Sequence, residues 1–129
     1  MRFKNSMYFA ALALTVLGLS EAYAKPAWQI IAQQTVGKGG DTDTVQVSSR
    51  QKFGKVRLCV YGRDVRLNSF LVQFGNGRRQ SLELQSVFRA GQCSRAIDLK
   101  GDRRHIEYVT LNYRRLPGDG SPLVRIQAR

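Results

Sequence analysis

Leu71-Val72-Gln73-Phe74-Gly75-Asn76-Gly77 opens the stretch that decides the fold, and Val109-Thr110-Leu111-Asn112-Tyr113 closes it. In both segments apolar and polar residues alternate, the period of a strand with one face buried. Between them lie Ala90-Gly91-Gln92-Cys93-Ser94-Arg95-Ala96-Ile97-Asp98-Leu99 and Gly101-Asp102-Arg103-Arg104-His105-Ile106. Gly75-Asn76-Gly77 can take positive φ and predicts a tight hairpin. Gly91 and Gly101 mark further turns, where the missing Cβ is reason enough for a glycine. The stretch specifies turns and register; it names no chemistry.

The same period of two runs outward from it. Residues 28–36 predict a first strand with Trp28, Ile30 and Ala32 in phase, residues 37–43 a flexible loop, and residues 44–48 a short strand with Val45 and Val47 facing inward. In residues 56–61, Val56, Leu58 and Val60 share one face, which puts Cys59 on the other. Residues 64–74 hold two phases, Val65 and Leu67 first, then Phe70, Val72 and Phe74. That slip predicts a bulge near Asn68-Ser69, because a shift of one residue exchanges the two faces of a strand. A second slip, between Ile106 and Val109, predicts another near Glu107-Tyr108. Residues 81–87, 95–99, 103–113 and 123–127 complete about eight strands, the last two parted by the turn Pro117-Gly118-Asp119-Gly120. The expectation is an all-β chain forming one antiparallel β-sandwich. A barrel of oligonucleotide-binding type is the alternative, but its five strands leave segments unused.

Residues 1–24 read as an export signal. Arg2 and Lys4 supply a basic start, residues 7–19 are almost uninterruptedly apolar, and Ala22 and Ala24 put small residues at the −3 and −1 positions, so that cleavage falls between Ala24 and Lys25. About 13 apolar residues are too few for a bilayer that needs roughly 20. The expected products are a leader, 1–24, and a β-sandwich domain, 25–129, in the periplasm or beyond, with no membrane span after cleavage.

Without Arg2, Lys4 and Glu21 the domain carries 19 basic and 8 acidic residues, a net charge of +11, and 14 of the bases are arginine. Arginine offers a planar fork of donors that matches phosphate, sulfate and carboxylate. Two readings stand: an anionic partner, or a solvated coat that keeps a small exported domain soluble. The two cysteines, Cys59 and Cys93, lie in the domain and predict one disulfide. They lack C-x-x-C spacing and a nearby histidine, which a redox or metal pair would need. The bridge is expected on the outside of the sheet, tying the strand of Cys59 to the loop after Gly91.

Val72-x-Phe74-x-Asn76-Gly77, Ala90-Gly91, Ser94-Arg95-x-Ile97-Asp98-Leu99-x-Gly101, and Arg104-x-Ile106 before Val109-x-Leu111-x-Tyr113 together resemble a family of small exported bacterial β-proteins of unknown function, labelled YaaI-like. The likeness covers roughly residues 53–115 and, weakly, residues 41–47. It implies an all-β domain behind a signal peptide and brings no catalytic residue to carry over.

Within that stretch Asp98 is expected to face Arg103 or Arg104 across a hairpin and fix its register, alongside the turn glycines Gly77, Gly91 and Gly101. The competing reading gathers Arg95, Arg103 and Arg104 into an anion-binding cluster around the turn. Enzyme signatures are missing. His105 is the single histidine, and there is no G-x-S-x-G, no H-E-x-x-H and no phosphate loop; Gly37-Lys38-Gly39-Gly40 has the wrong spacing. Asp41-Thr42-Asp43 has a hint of a calcium loop but too few oxygens to follow it. No catalytic residue, metal or cofactor is therefore expected. Aromatics interleave with bases at Arg57, Tyr61 and Arg63 and at Tyr113, Arg114 and Arg115, a pattern of single-strand nucleic-acid binders, although Phe70, Phe74 and Tyr113 fall on core phases. The favoured function is a non-catalytic exported module that binds an anionic polymer, namely lipopolysaccharide, an acidic glycan or extracellular DNA. The alternative is a structural or assembly module bound to an envelope protein, its charge serving solubility.

Overall fold

In the computed structural model, residues 27–37 and 41–129 are described. The expected leader, 1–24, and Lys38, Gly39 and Gly40 of the first loop lie outside them. The strands in order are β1 (Gln29–Thr35), β2 (Asp41–Gln46), β3 (Lys52–Phe53), β4 (Lys55–Tyr61), β5 (Val65–Phe74), β6 (Arg79–Ser81), β7 (Ser86–Phe88), β8 (Ile97–Asp98), β9 (Arg104–Arg115) and β10 (Leu123–Ala128). One sheet runs β1-β10-β4-β8 and the other β2-β9-β5-β6, with β7 also pairing β5 and β3 pairing β9. Every pairing is antiparallel. The two sheets pack face to face as a sandwich and close no barrel.

Alternation decides which side chains meet between the layers. Val56, Leu58 and Val60 of β4 and Val124, Ile126 and Ala128 of β10 are buried against Phe70, Val72, Val109, Leu111 and Tyr113 from the other sheet. Both expected bulges are present in the pairing of β5 with β9: Asn68 is skipped between Leu67 and Ser69, and Glu107 between Ile106 and Tyr108. Each extra residue restores the apolar phase, so Val65 and Leu67 lie inside together with Phe70, Val72 and Phe74. The hairpin after Phe74 turns on Gly77 at φ 87°, with the Gly77 amide donating to the Phe74 carbonyl at 2.9 Å.

Four local expectations are corrected. In β1 a bulge between Ile30 and Ala32 breaks the phase, so Ile31 and Ala32 are buried while Ile30 is 53% exposed. Residues 41–43 belong to β2 and not to the loop, because Asp41 to Asp43 pair with Tyr113 to Leu111. Tyr113 hydroxyl donates to Asp43 Oδ2, and Asn112 Nδ2 to Thr42 Oγ1 at 2.6 Å. The strand expected over 81–87 is split into β6 and β7: they pair with β5 on either side of its bulge, and Leu82 and Leu84 face the core between them. The strand expected over 95–99 shrinks to β8.

Cys59 is 1% exposed yet stands on the outer side of β4, beneath the 91–94 segment, and its sulfur lies 1.94 Å from that of Cys93. The segment continues the sheet edge irregularly: Val60 donates to the Gln92 carbonyl and Ser94 to the Leu58 carbonyl, at 2.9 and 2.7 Å. Such a pair fits an oxidising compartment outside the cytoplasm. Among the described residues no helix is long and apolar enough to cross a membrane.

Candidate anion-binding surface

Burying alternate residues of β4 and β10 forces the others outward: Lys55, Arg57, Cys59 and Tyr61 on one, Leu123, Arg125 and Gln127 on the other, with Arg129 continuing the same face. Register sets Arg57 opposite Gln127 and Arg125 opposite Cys59, while Lys55 and Arg129 exchange backbone hydrogen bonds. Arg129, Arg57 and Arg125 therefore zigzag across two strands at about 8 Å between successive anchor points, from the rise per residue and the strand spacing.

Each of these arginines is held by its neighbours. Arg57 and Arg129 both lie over the Trp28 ring, 4.4 Å from its centre, and Arg125 lies 4.7 Å from that of Tyr61. Gln127 Oε1 accepts from Arg57 Nε at 2.7 Å, and Gln33 Oε1 from Arg125 Nε at 3.3 Å. With Nε engaged by an amide and the guanidinium carbon over a ring, Arg57 and Arg125 keep their Nη groups as further donors. Among the described residues the ion pairs within 4 Å are Lys55–Asp98 and Arg89–Asp64, so no carboxylate neutralises Arg57, Arg125 or Arg129.

The outer face of the other sheet differs in kind. Thr44 and Thr110 share a hydrogen bond at 3.1 Å, and Asn68 donates to Asn112 at 2.9 Å. Its arginines are Arg66 and Arg114, opposite each other at one end of β5 and β9, and Arg79 on β6, which donates to Gln73 Oε1 at 3.3 Å. Between them the middle of that face, with Thr44, Thr110, Asn68 and Asn112, carries no charge.

Of the three arginines singled out from sequence, two come together. Arg103 and Arg104 line an open depression of about 340 Å³ with Lys52, Gly75, Asn76 and His105. Arg95 instead donates to the Glu83 carbonyl at 3.3 Å and lines a separate depression with Glu83, Ser86 and Gln92. Asp98 meets neither Arg103 nor Arg104: it pairs with Lys55 at 2.5 Å, because the short β8 runs beside β4 and not beside β9. Gly91 and Gly101 do occupy turns, at φ 86° and 87°.

The aromatic pattern is resolved differently from its linear order. Tyr61 stacks with Arg125 from the neighbouring strand, whereas Arg63 donates to the Pro117 carbonyl at 2.6 Å and Arg115 to the Gly120 carbonyl at 2.9 Å. Tyr113 is core. His105 Nε2 donates to the Ser49 carbonyl at 3.2 Å. Among the described residues no three His, Cys, Asp or Glu side chains gather to hold a metal. Sequence reasoning missed Trp28, Arg125 and Arg129. Their signal was the alternation of residues 123–129, but which strand lies beside β10 is not written locally.

Residues 9–126 match the family described as Domain of unknown function (DUF2541). The chain belongs to that family. No curated protein matches it. Among solved structures the DUF2541 chain is similar to one from the structure of infectious bursal disease virus Gx strain, at 10% identity and a TM-score of 0.34. The match covers 78% of this chain and 32% of the viral one, so this chain spans about a third of its length. A likeness this distant carries nothing about function.

Proposed function

We propose that this DUF2541 domain is a non-catalytic exported module that binds an anionic envelope or extracellular polymer along the outer face of the β1-β10-β4-β8 sheet. The observation that carries the reading is the set Arg57, Arg125 and Arg129, each stacked on an aromatic ring and none paired with a carboxylate. Fixed guanidinium forks lose little entropy when they take up carboxylate, sulfate or phosphate groups. The Cys59–Cys93 pair, the leader expected at residues 1–24 and the resemblance of residues 53–115 to YaaI-like exported proteins support a setting outside the cytoplasm. In that setting the candidate polymers are lipopolysaccharide, acidic glycans and extracellular DNA. The test is retention on immobilised heparin and on lipopolysaccharide micelles. Binding is expected at low salt and should weaken steeply as salt rises; no binding at low salt, or binding indifferent to salt, would refute the reading.

A second reading, an assembly module for an envelope protein, has one observation in its favour. β1 is an edge strand, and its sequence Gln29-Ile30-Ile31-Ala32-Gln33-Gln34-Thr35 carries neither charge nor proline to discourage pairing. The bulge after Ile30 works against it by breaking the regular edge. Crosslinking from β1 that recovers one specific envelope protein would favour this second reading over the first.

A further inference from the structure

We propose that the depression between the 75–77 hairpin and the 100–103 turn binds a tetrahedral oxyanion, a phosphate monoester or a sulfate group. This inference does not depend on the sheet face, and either can fail alone. Lys52, Arg103 and Arg104 bring three cationic side chains to one depression. Arg103 Nη2 donates to the Lys52 carbonyl at 2.5 Å, and Arg104 Nη1 to the Lys100 carbonyl at 2.8 Å. A carbonyl fixes a guanidinium without neutralising it. Arg104 is further pinned over the Phe74 ring, 3.9 Å from its centre. Among the described residues none of the three cations has a carboxylate within 4 Å, Asp102 included.

The backbone around the depression is shaped to hold these groups. Gly101 and Asp102 are consecutive left-handed residues, at φ 87° and 73°, a conformation that costs a non-glycine residue roughly 1 kcal/mol or more. A Cβ on Gly101 would fall 2.9 Å from Arg104 Nη1, and one on Gly75 would fall 2.7 Å from His105 Nδ1. Both glycines thus make room for the side chains that form the walls. Asn76 Oδ1 accepts from the Arg78 amide at 3.0 Å, which commits its oxygen to the hairpin and leaves its NH2 as a donor. Lys52, Asn76, Arg103 and Arg104 therefore all present donors, and they outnumber the one side-chain acceptor left in the lining, Nδ1 of His105, so a ligand that suits them is rich in acceptors.

Charge and shape narrow the class. A carboxylate offers two coplanar oxygens, whereas phosphate and sulfate groups offer three terminal oxygens in a tetrahedral array, a better match to four converging donors. A phosphate monoester brings a charge near −2 and three terminal oxygens. A volume of about 340 Å³ also leaves room for the sugar or other unit that carries the ester.

The test is a ¹⁵N NMR titration of the purified protein at low ionic strength with inorganic phosphate and, separately, inorganic sulfate. Saturable shifts are expected at the amides of Gly75, Asn76, Arg103, Arg104 and His105. Arg103→Gln and, separately, Lys52→Gln should each weaken binding by about tenfold, the scale of one charge-assisted contact. Arg66→Gln, on the outer face of the other sheet, should leave it unchanged. Preference for phosphate assigns the site to phosphate monoesters; equal binding of sulfate extends it to sulfate esters. Thermal denaturation of each variant shows that it is folded, and Lys52, exposed at the rim, provides the variant least able to disturb packing. Absence of saturable shifts, or shifts that persist unchanged in both Arg103→Gln and Lys52→Gln, would overturn the proposal.

Discussion

The guanidinium of Arg57 lies over the Trp28 ring, 4.4 Å from its centre, and Arg129 shares that ring at the same distance. One aromatic side chain near the start of the domain thereby orders two cations, one on β4 and one just beyond β10. The indole is half-buried under them, so it is a scaffold for charge as much as a packing element.

Trp28→Ala should therefore act on stability and binding together. Two cation–π contacts at about 0.5 to 1 kcal/mol each predict a loss of about 1 to 2 kcal/mol in urea denaturation, with weaker retention on heparin. Trp28→Phe keeps a ring and should lose less of both.

Reducing the Cys59–Cys93 bridge, or replacing both cysteines by serine, releases a constraint between residues 34 apart. The chain-entropy relation predicts a loss of about 3 to 4 kcal/mol, seen as a lower denaturant midpoint. Arg57 stands on β4, Arg125 on β10 and Arg129 just beyond it, and the backbone pairing of β4 with β10 does not use the bridge, so polymer binding by the folded reduced protein should persist.

Asp98→Asn should change stability by less than about 1 kcal/mol, since its pair with Lys55 is exposed, with side chains 45% and 80% accessible. Chemical denaturation at low and high salt checks this: a loss above about 2 kcal/mol would restore a register-setting role for Asp98.

Two hairpin glycines should respond differently to alanine. At Gly77 no atom lies within 4 Å of an added Cβ, so the cost is the positive φ alone, about 1 to 2 kcal/mol. At Gly75 the added Cβ presses on His105 Nδ1, so Gly75→Ala should displace the imidazole and weaken its bond to the Ser49 carbonyl. Imidazole chemical shifts that move in Gly75→Ala but not in Gly77→Ala would bear this out.

The fold was legible because its determinants are local. Alternation in residues 56–61 and 64–74 locates β4 and β5, and the slips at Asn68 and Glu107 mark both bulges. Where alternation misled, a neighbour intervened: the bulge in β1 turned Ile30 outward, and the bulge in β5 divided residues 79–88 into two short strands. The candidate surface was less legible, because it joins Trp28, Arg57, Arg125 and Arg129 from three distant segments. Linear proximity pointed to Arg63 as the companion of Tyr61, and strand order supplied Arg125 instead. Arg95 was parted from Arg103 and Arg104 for the same reason, the irregular 91–94 segment running beside β4 while the others border the 75–77 hairpin.

The most direct test of the sheet-face reading is the salt dependence of binding to a linear polyanion, measured for the native protein and for the Arg57→Gln, Arg125→Gln, Arg129→Gln triple variant. Each ionic contact adds roughly 0.7 to 0.9 to the magnitude of the slope of log K against log salt. The triple variant should bind more weakly at low salt with a slope shallower by about 2, its fold confirmed by an unaltered denaturation profile. A slope identical to that of the native protein would show that the charges contacting the polymer lie elsewhere and would contradict the account.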